Sequence, residues 1–185
     1  PCVASGIRDP DFVEIGKASL IEDRKSRKIN MPPYGTLANY VPFYFTPKSP
    51  MLFNIKTGFK GITRRANHEI AIIVSSVKAM QDAGVKLLFT DRHAYMATAR
   101  CSADPADLAD MIDWDILRRH DFAKSDAYPD KMDRYMAEAL AHAHVPPTAI
   151  LGIGCASGEE EQRIAGLVAG AGLSLRVVVR PEWYF

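Results

Sequence analysis

The apolar positions of this chain change period several times, and each change marks the edge of an element. Residues 1–40 are polar and turn-rich, with one short helix expected around 17–26 that ends in the basic run "RKSRK". "YVPFYF" at 40–45 gathers β-forming residues, and Pro47 and Pro50 end it, so it reads as a strand. "SPMLFNIKTG" at 49–58 reads as a proline-initiated helix closed by Gly58. "EIAIIVSS" at 69–76 is a continuous β-branched run, which predicts a buried strand. "VKAMQDAG" then gives a helix with a glycine stop, and "VKLLFTD" at 85–91 a second buried strand. Residues 104–120 begin with capping aspartates and space their apolar residues as one helix does. Residues 121–133 are polar without period and read as a loop. Near the end, "AILGIGCA" is a strand and Ser157 with Glu160 has the spacing of a capping box. Ile164, Leu167, Val168 and Ala171 stripe the helix that follows, Gly172 stops it, and "LSLRVVV" is the last strand.

One segment resists this reading. In 134–145, alanine, glutamate, leucine and methionine favour a helix by propensity. Yet Tyr135, Ala137, Ala139, Ala141 and Ala143 alternate with Met136, Glu138, Leu140, His142 and His144, which is the period of a strand. Pattern alone leaves both open. The choice matters because Glu138 is the lone carboxylate there, and it is either a solvated helix residue or a buried acid with work to do.

At 185 residues the chain can bury about two-thirds of its unfolded surface, so one domain is expected. Its net charge of +1 conceals an asymmetry: residues 1–100 sum to +7 and 101–185 to −6. A basic half suits an anionic partner, although most such charge is solvated surface. Cys2, Cys101 and Cys155 are odd in number and far apart, which points to free thiols in a reducing compartment. With no apolar run near 18 residues and no signal peptide, a cytoplasmic protein with no membrane association is expected.

Three motifs carry candidate chemistry. "GIGCASG" at 152–158 follows a strand and opens a helix, as a dinucleotide-binding turn does, with Glu182 roughly where a ribose-binding acid falls. Its spacing is G-x-G-x-x-x-G, and no further strands follow to complete a doubly wound sheet, so close packing outweighs nucleotide binding. His142 and His144 lack a carboxylate or cysteine to complete a zinc set, and no metal is expected. His93, in "TDRHAY", lies just past a buried strand, where polar site residues gather; a surface turn histidine is the plain alternative. In 40–58 the aromatics suit a core, but two prolines flanking Lys48 fix the backbone as a binding loop requires.

"YVPFYFTPKSPMLFNIKTG", "LLFTDRHAY", "IDWDIL", "RYMAEAL" and "RPEWYF" run in order along the chain. Together they resemble DarT, a toxin family that transfers ADP-ribose from NAD+ to thymidine in single-stranded DNA, from about residue 20 onward. The resemblance implies an α+β ADP-ribosyltransferase fold with a central split β-sheet around an NAD cleft. It makes 134–143 a strand, Glu138 the catalytic glutamate and 121–133 the substrate-recognition loop. Such a reaction needs a single acid: the nicotinamide leaves neutral and the base is the nucleophile, so one carboxylate suffices to stabilise the ribosyl cation. Tyr40, Tyr44, Lys48 and Met51 fall on the family's NAD-binding stretch. Lys48, which would share the catalytic work, stands where arginine is frequent and so lacks a two-pronged grip. Met136 replaces a usual glutamine. The family's histidine-bearing NAD-binding segment has no counterpart ahead of Pro1, implying a single domain over 1–185 with that segment missing.

Arg92, His93, Tyr128, Arg64 and Arg65 are the expected DNA contacts; Arg24, Lys25, Arg27, Lys28 and Lys60 add phosphate-binding charge, and Tyr95 offers a stacking surface. A DarG-like macrodomain antitoxin is the implied partner. Two rival readings are an NAD(P)-dependent oxidoreductase built on "GIGCASG" and a non-catalytic nucleic-acid-binding module.

Overall fold

The computed structural model describes residues 2–8, 10 and 12–185, apart from the side chain of Lys60. The ambiguous segment resolves as a short helix followed by a strand, and that strand organises the fold. In chain order the elements are α1 (Ala18–Ser26), β1 (Tyr40–Tyr44), α2 (Pro50–Thr57), β2 (Ile72–Ser75), α3 (Val77–Asp82), β3 (Leu87–Thr90) and β4 (Cys101–Ser102). They continue with α4 (Leu108–Met111), α5 (Trp114–Arg118), α6 (Lys131–Tyr135), β5 (Glu138–His142), β6 (Ile150–Cys155), α7 (Gly158–Gly170) and β7 (Val177–Val179). Two separate sheets form, ordered β1-β5-β3-β4 and β2-β6-β7. This is an α+β fold, as expected.

Strand β5 lies inside the larger sheet, antiparallel to β1 on one edge and β3 on the other. Its alternation explains why pairing overrides helix propensity. Ala139 sits between Phe43 and Phe89, and Ala141 between Val41 and Leu87, so small residues alternate with large ones across the sheet. Leu140, on the opposite face, joins Tyr40, Leu88, Leu37 and Ile29 in a second layer. Leu140 and Ala141 are both fully buried, so β5 is covered on each side, and pairing with β1 and β3 satisfies the backbone of its interior residues.

Four expectations need correction. The single helix over 104–120 is broken: a 3-10 turn at Pro105–Asp107 leads into α4, Ile112 is extended, and α5 starts afresh. Asp113 causes the restart by accepting the Ile116 N–H at 3.2 Å, while the Trp114 indole donates to the Leu108 carbonyl at 3.0 Å. The break lets Met111, Ile112, Ile116 and Leu117 all reach the core. Strand β2 is shorter than 69–76 and only partly buried, with Ile73 54% exposed, because it is an edge strand of the smaller sheet. The capping box at Ser157 is not formed, since its hydroxyl bonds the Glu160 carboxylate rather than a backbone N–H. Of the α7 stripe only Ile164 is buried, and Leu167 faces outward.

The glycine-rich turn packs tightly. A Cβ on Gly152 would stand 2.8 Å from the Arg176 carbonyl oxygen, and one on Gly154 would stand 2.6 Å from the Trp183 ring. The Tyr184 hydroxyl donates to the carbonyls of Gly154 and Ile70, sealing the same place. Glu182 is occupied with Arg180 at 3.8 Å. Gly154→Ala is therefore expected to cost about 1–3 kcal/mol by overpacking, read as a lower urea midpoint. An unchanged midpoint would show that Trp183 yields and that the turn is open.

Between the sheets lies an apolar cavity of about 490 Å³, lined by residues such as Phe43, Phe45, Leu52, Val74 and Trp183. Ala139 lines it rather than Glu138, so the cavity belongs to the alanine face of β5.

Candidate active site

At the start of β5 the side chain of Glu138 projects from the face opposite Ala139 and is 1% exposed. Its position is set by backbone chemistry. The Glu138 N–H donates to Thr90 Oγ1 at 3.1 Å, and Thr90 in turn donates to the Arg92 carbonyl at 2.7 Å, so the end of β3 and the start of β5 are locked together. Glu138 Oε1 accepts the Ala94 N–H at 3.0 Å. Arg24, from α1, lays Nη1 across the carboxylate at 3.3 Å from Oε1 and 3.1 Å from Oε2. The carboxylate is thus not on a solvated helix: it is buried, charge-paired and held by a backbone donor, as a buried charge must be.

Arg24 is the residue that sequence reasoning misplaced. The run "RKSRK" reads as solvated or phosphate-binding charge, yet its first arginine turns inward, with Nη2 buried and without a hydrogen-bond partner. The signal was tertiary. Arg27 anchors the same region by donating to the Met96 carbonyl at 3.1 Å, and the Leu37 N–H to Arg27 carbonyl bond holds the turn that follows, which together lay α1 over the β3–β4 connection.

His93 lies beside this pair, its Nε2 3.8 Å from Glu138 Oε1 and its backbone N–H bonded to the Asp133 carbonyl at 2.8 Å. Burial pushes the imidazole below its ordinary value of 6.5; Glu138 and Asp133 oppose that, and Arg24 adds to it. The unfolded chain therefore binds a proton that the folded one resists, and stability is full above pH 6.5 and falls as pH drops through it. Urea midpoints should fall from pH 7.5 to 5.5, and His93→Gln should flatten that part of the slope; an equal slope in the variant would clear His93 of responsibility.

Tyr44 pairs across the ladder with Glu138, and its phenol is raised by burial, then by the charge of Glu138, with Arg24 pulling the other way. Tyr40 is 2% exposed, its hydroxyl donating to the Tyr34 carbonyl at 2.8 Å, so it stands in the core behind the site. Met51 is 45% exposed on α2. Lys48 presents Nζ 5.9 Å from the Phe185 ring, and its carbonyl accepts the Tyr135 hydroxyl at 2.8 Å. Among the described residues, Arg24 is the cation paired with Glu138, the His93 ring lies 3.8 Å from it, and Lys48 makes no ion pair with it.

The segment 121–133 is brought to the site. Its Asp130 accepts from Arg92 and Arg134, Lys131 bonds Asp121 at 2.7 Å, and Tyr128 donates to Asp113 at 2.7 Å. Burial and that bond push the Tyr128 phenol up to about 12. His93 thus stands beside Glu138 and its neighbour Arg92 meets the segment through Asp130, whereas Arg65 pairs with Glu69 at 3.0 Å and bonds back to α2 through the Ile55 carbonyl. Arg64 is exposed next to it, and the Lys60 side chain lies outside the described residues. No group of three metal-ligating side chains occurs among the described residues. None of their helices is long and apolar enough to cross a membrane.

A single buried carboxylate, fixed in place and flanked by an arginine with a spare donor, can stabilise a sugar cation beside it. A family model described as DarT, ssDNA thymidine ADP-ribosyltransferase, matches residues 2–185. The chain belongs to the DarT family. A DNA ADP-ribosyl transferase of Escherichia coli O127:H6 is 39% identical over 184 residues, covering 100% of this chain and 84% of the relative. Among solved structures, Thermus sp. 2.9 DarT in complex with ADP-ribosylated ssDNA superposes with a TM-score of 0.90 at 29% identity, covering 100% of this chain and 86% of that one. The same DarT in complex with NAD+ gives 0.80 at 30% identity, with coverages of 88% and 81%. The α+β architecture is thus that of DarT structures; of the strand that the resemblance implied over 134–143, Glu138–His142 is present, while Arg134 and Tyr135 end α6.

Proposed function

We propose that this chain transfers ADP-ribose from NAD+ to a thymidine base of single-stranded DNA, as the toxin of a toxin–antitoxin pair. The observation that carries the reading is the buried Glu138 carboxylate, paired with Arg24 and capped by the Ala94 N–H, in a DarT-family chain. In the reaction the bond from ribose C1′ to the nicotinamide nitrogen breaks, its electron pair leaves with neutral nicotinamide, and C1′ becomes cationic. Glu138 stabilises that charge in a site shielded from water, where a fixed carboxylate acts most strongly. A ring nitrogen of thymine then forms the new bond to C1′ and gives up its proton, for which Glu138 is our assigned acceptor.

Tyr44 and Met51, with Lys48 and the supporting ring of Tyr40, are our assignment for NAD+ contact. Arg92, His93 and Tyr128 are the assignment for DNA, with Arg64 and Arg65 as outlying phosphate contacts. All belong to one domain spanning 1–185. The substrates place the enzyme in the cytoplasm, and a DarG-like macrodomain antitoxin is the partner such a toxin requires.

Incubation with labelled NAD+ and a thymidine-containing single-stranded oligonucleotide tests the reading. Label on the oligonucleotide with release of nicotinamide is the expected result. A gel shift without label would leave only a nucleic-acid-binding module, and a change in NADH absorbance would instead indicate hydride transfer.

A further inference from the structure

Arg92 divides its guanidinium between two carboxylates. Nε and Nη2 lie 3.4 Å from Asp91 Oδ1 and Oδ2, and Nη1 lies 3.1 Å from Asp130 Oδ2. Asp91 is 1% exposed and is fixed in turn by Arg100, through its N–H at 2.9 Å and Nε at 3.2 Å. Burial raises the Asp91 carboxyl, but those donors and Arg92 outweigh it and hold the group below its ordinary value of 3.8. The Nε and Nη2 edge of Arg92 is therefore held against the buried Asp91, and Nη1 is left to meet Asp130.

What Nη1 meets is a single oxygen that a second cation also meets, because Arg134 Nε lies 3.0 Å from the same Asp130 Oδ2. Two guanidinium groups converging on one anionic oxygen form a receptor suited to a phosphoryl oxygen. The carboxylate filling it is the accessible member: the Asp130 side chain is 37% exposed, Arg134 29% and Arg92 13%. Asp130 also belongs to the segment expected to meet the substrate, and Arg92 directly precedes His93 at the Glu138 carboxylate.

We infer that Arg92 and Arg134 form a binding site for a backbone phosphodiester of the single-stranded DNA, and that Asp130 fills it as an internal surrogate until the nucleic acid displaces it. This rests on the DNA-modifying reading above. The exchange conserves charge at the two arginines, since one singly negative group replaces another, and the released carboxylate turns into water through its exposed side. Asp91 keeps Arg92 aimed throughout.

The test compares wild type with Asp130→Asn and Arg134→Gln for binding of a thymidine-containing single-stranded oligonucleotide across a salt series, with thermal melts on all three. Removing the competing charge in Asp130→Asn should tighten binding about threefold. Arg134→Gln should weaken binding and lower the slope of log K against log salt by about 0.7, the signature of one phosphate contact on a single strand. Weaker binding by Asp130→Asn with an unchanged slope for Arg134→Gln would overturn the inference, leaving Asp130 a structural clamp, while wild-type labelling of the oligonucleotide would keep the DNA reading intact. Absence of both binding and labelling in the wild type would overturn both.

Discussion

Glu138→Gln should reduce ADP-ribose transfer about a hundredfold to a thousandfold, the loss typical of one preorganised charge aimed at a transition state. Glutamine matches the shape and keeps an oxygen for the Ala94 N–H at the position of Oε1, so the end of β5 should stay in place. What disappears is the negative charge that we propose faces the ribosyl cation. Binding of the oligonucleotide should be largely kept, because no DNA contact is assigned to Glu138, and the defect should therefore appear in kcat rather than in the DNA concentration dependence. Initial rates of label incorporation at saturating NAD+ measure it. A variant retaining more than about a tenth of the wild-type rate would remove Glu138 from the chemistry.

The second large effect concerns stability. Arg24→Met should cost about 3 kcal/mol, because the partner left behind is 1% exposed and cannot recover its hydration. That is a sizeable share of the roughly 5–15 kcal/mol that holds a typical domain together. The cost should shrink to about 1 kcal/mol when Glu138→Gln is added, since no unpaired charge then remains buried. Urea unfolding of the four proteins completes the cycle. If Arg24→Met alone costs less than about 0.5 kcal/mol, the pair behaves as a surface contact, and the buried account of the site fails.

Much of the architecture was readable from the chain, and the exceptions share a cause. Gly58 and Gly84 both adopt left-handed φ values of 73° and stop helices where the sequence placed those stops. Ser49 accepts the Leu52 N–H at 3.1 Å and starts α2 as the proline pattern implied. These are local effects, decided within one turn. The helix-or-strand choice at 134–145 was not local: alanine favours a helix alone, and only Phe43 and Phe89, both far from Ala139 in the chain, make its small volume valuable in a strand. The split of 104–120 likewise depends on Asp113 serving both Ile116 and Tyr128.

The site shows the same division. Glu138 was legible because a lone acid among apolar residues is conspicuous, and His93 because it follows a buried strand. Arg24 was hidden in a basic run whose other members, such as Lys25, make ordinary surface pairs. Nothing within five residues of Arg24 distinguishes it; its partner is 114 positions away.

Helix α1 contains no buried residue. The counter-ion of the Glu138 carboxylate is thus carried on a peripheral helix rather than built into the wall of the core. Separating α1 from the sheet would therefore take the counter-ion away from Glu138 while drawing no buried residue of α1 itself out of the core.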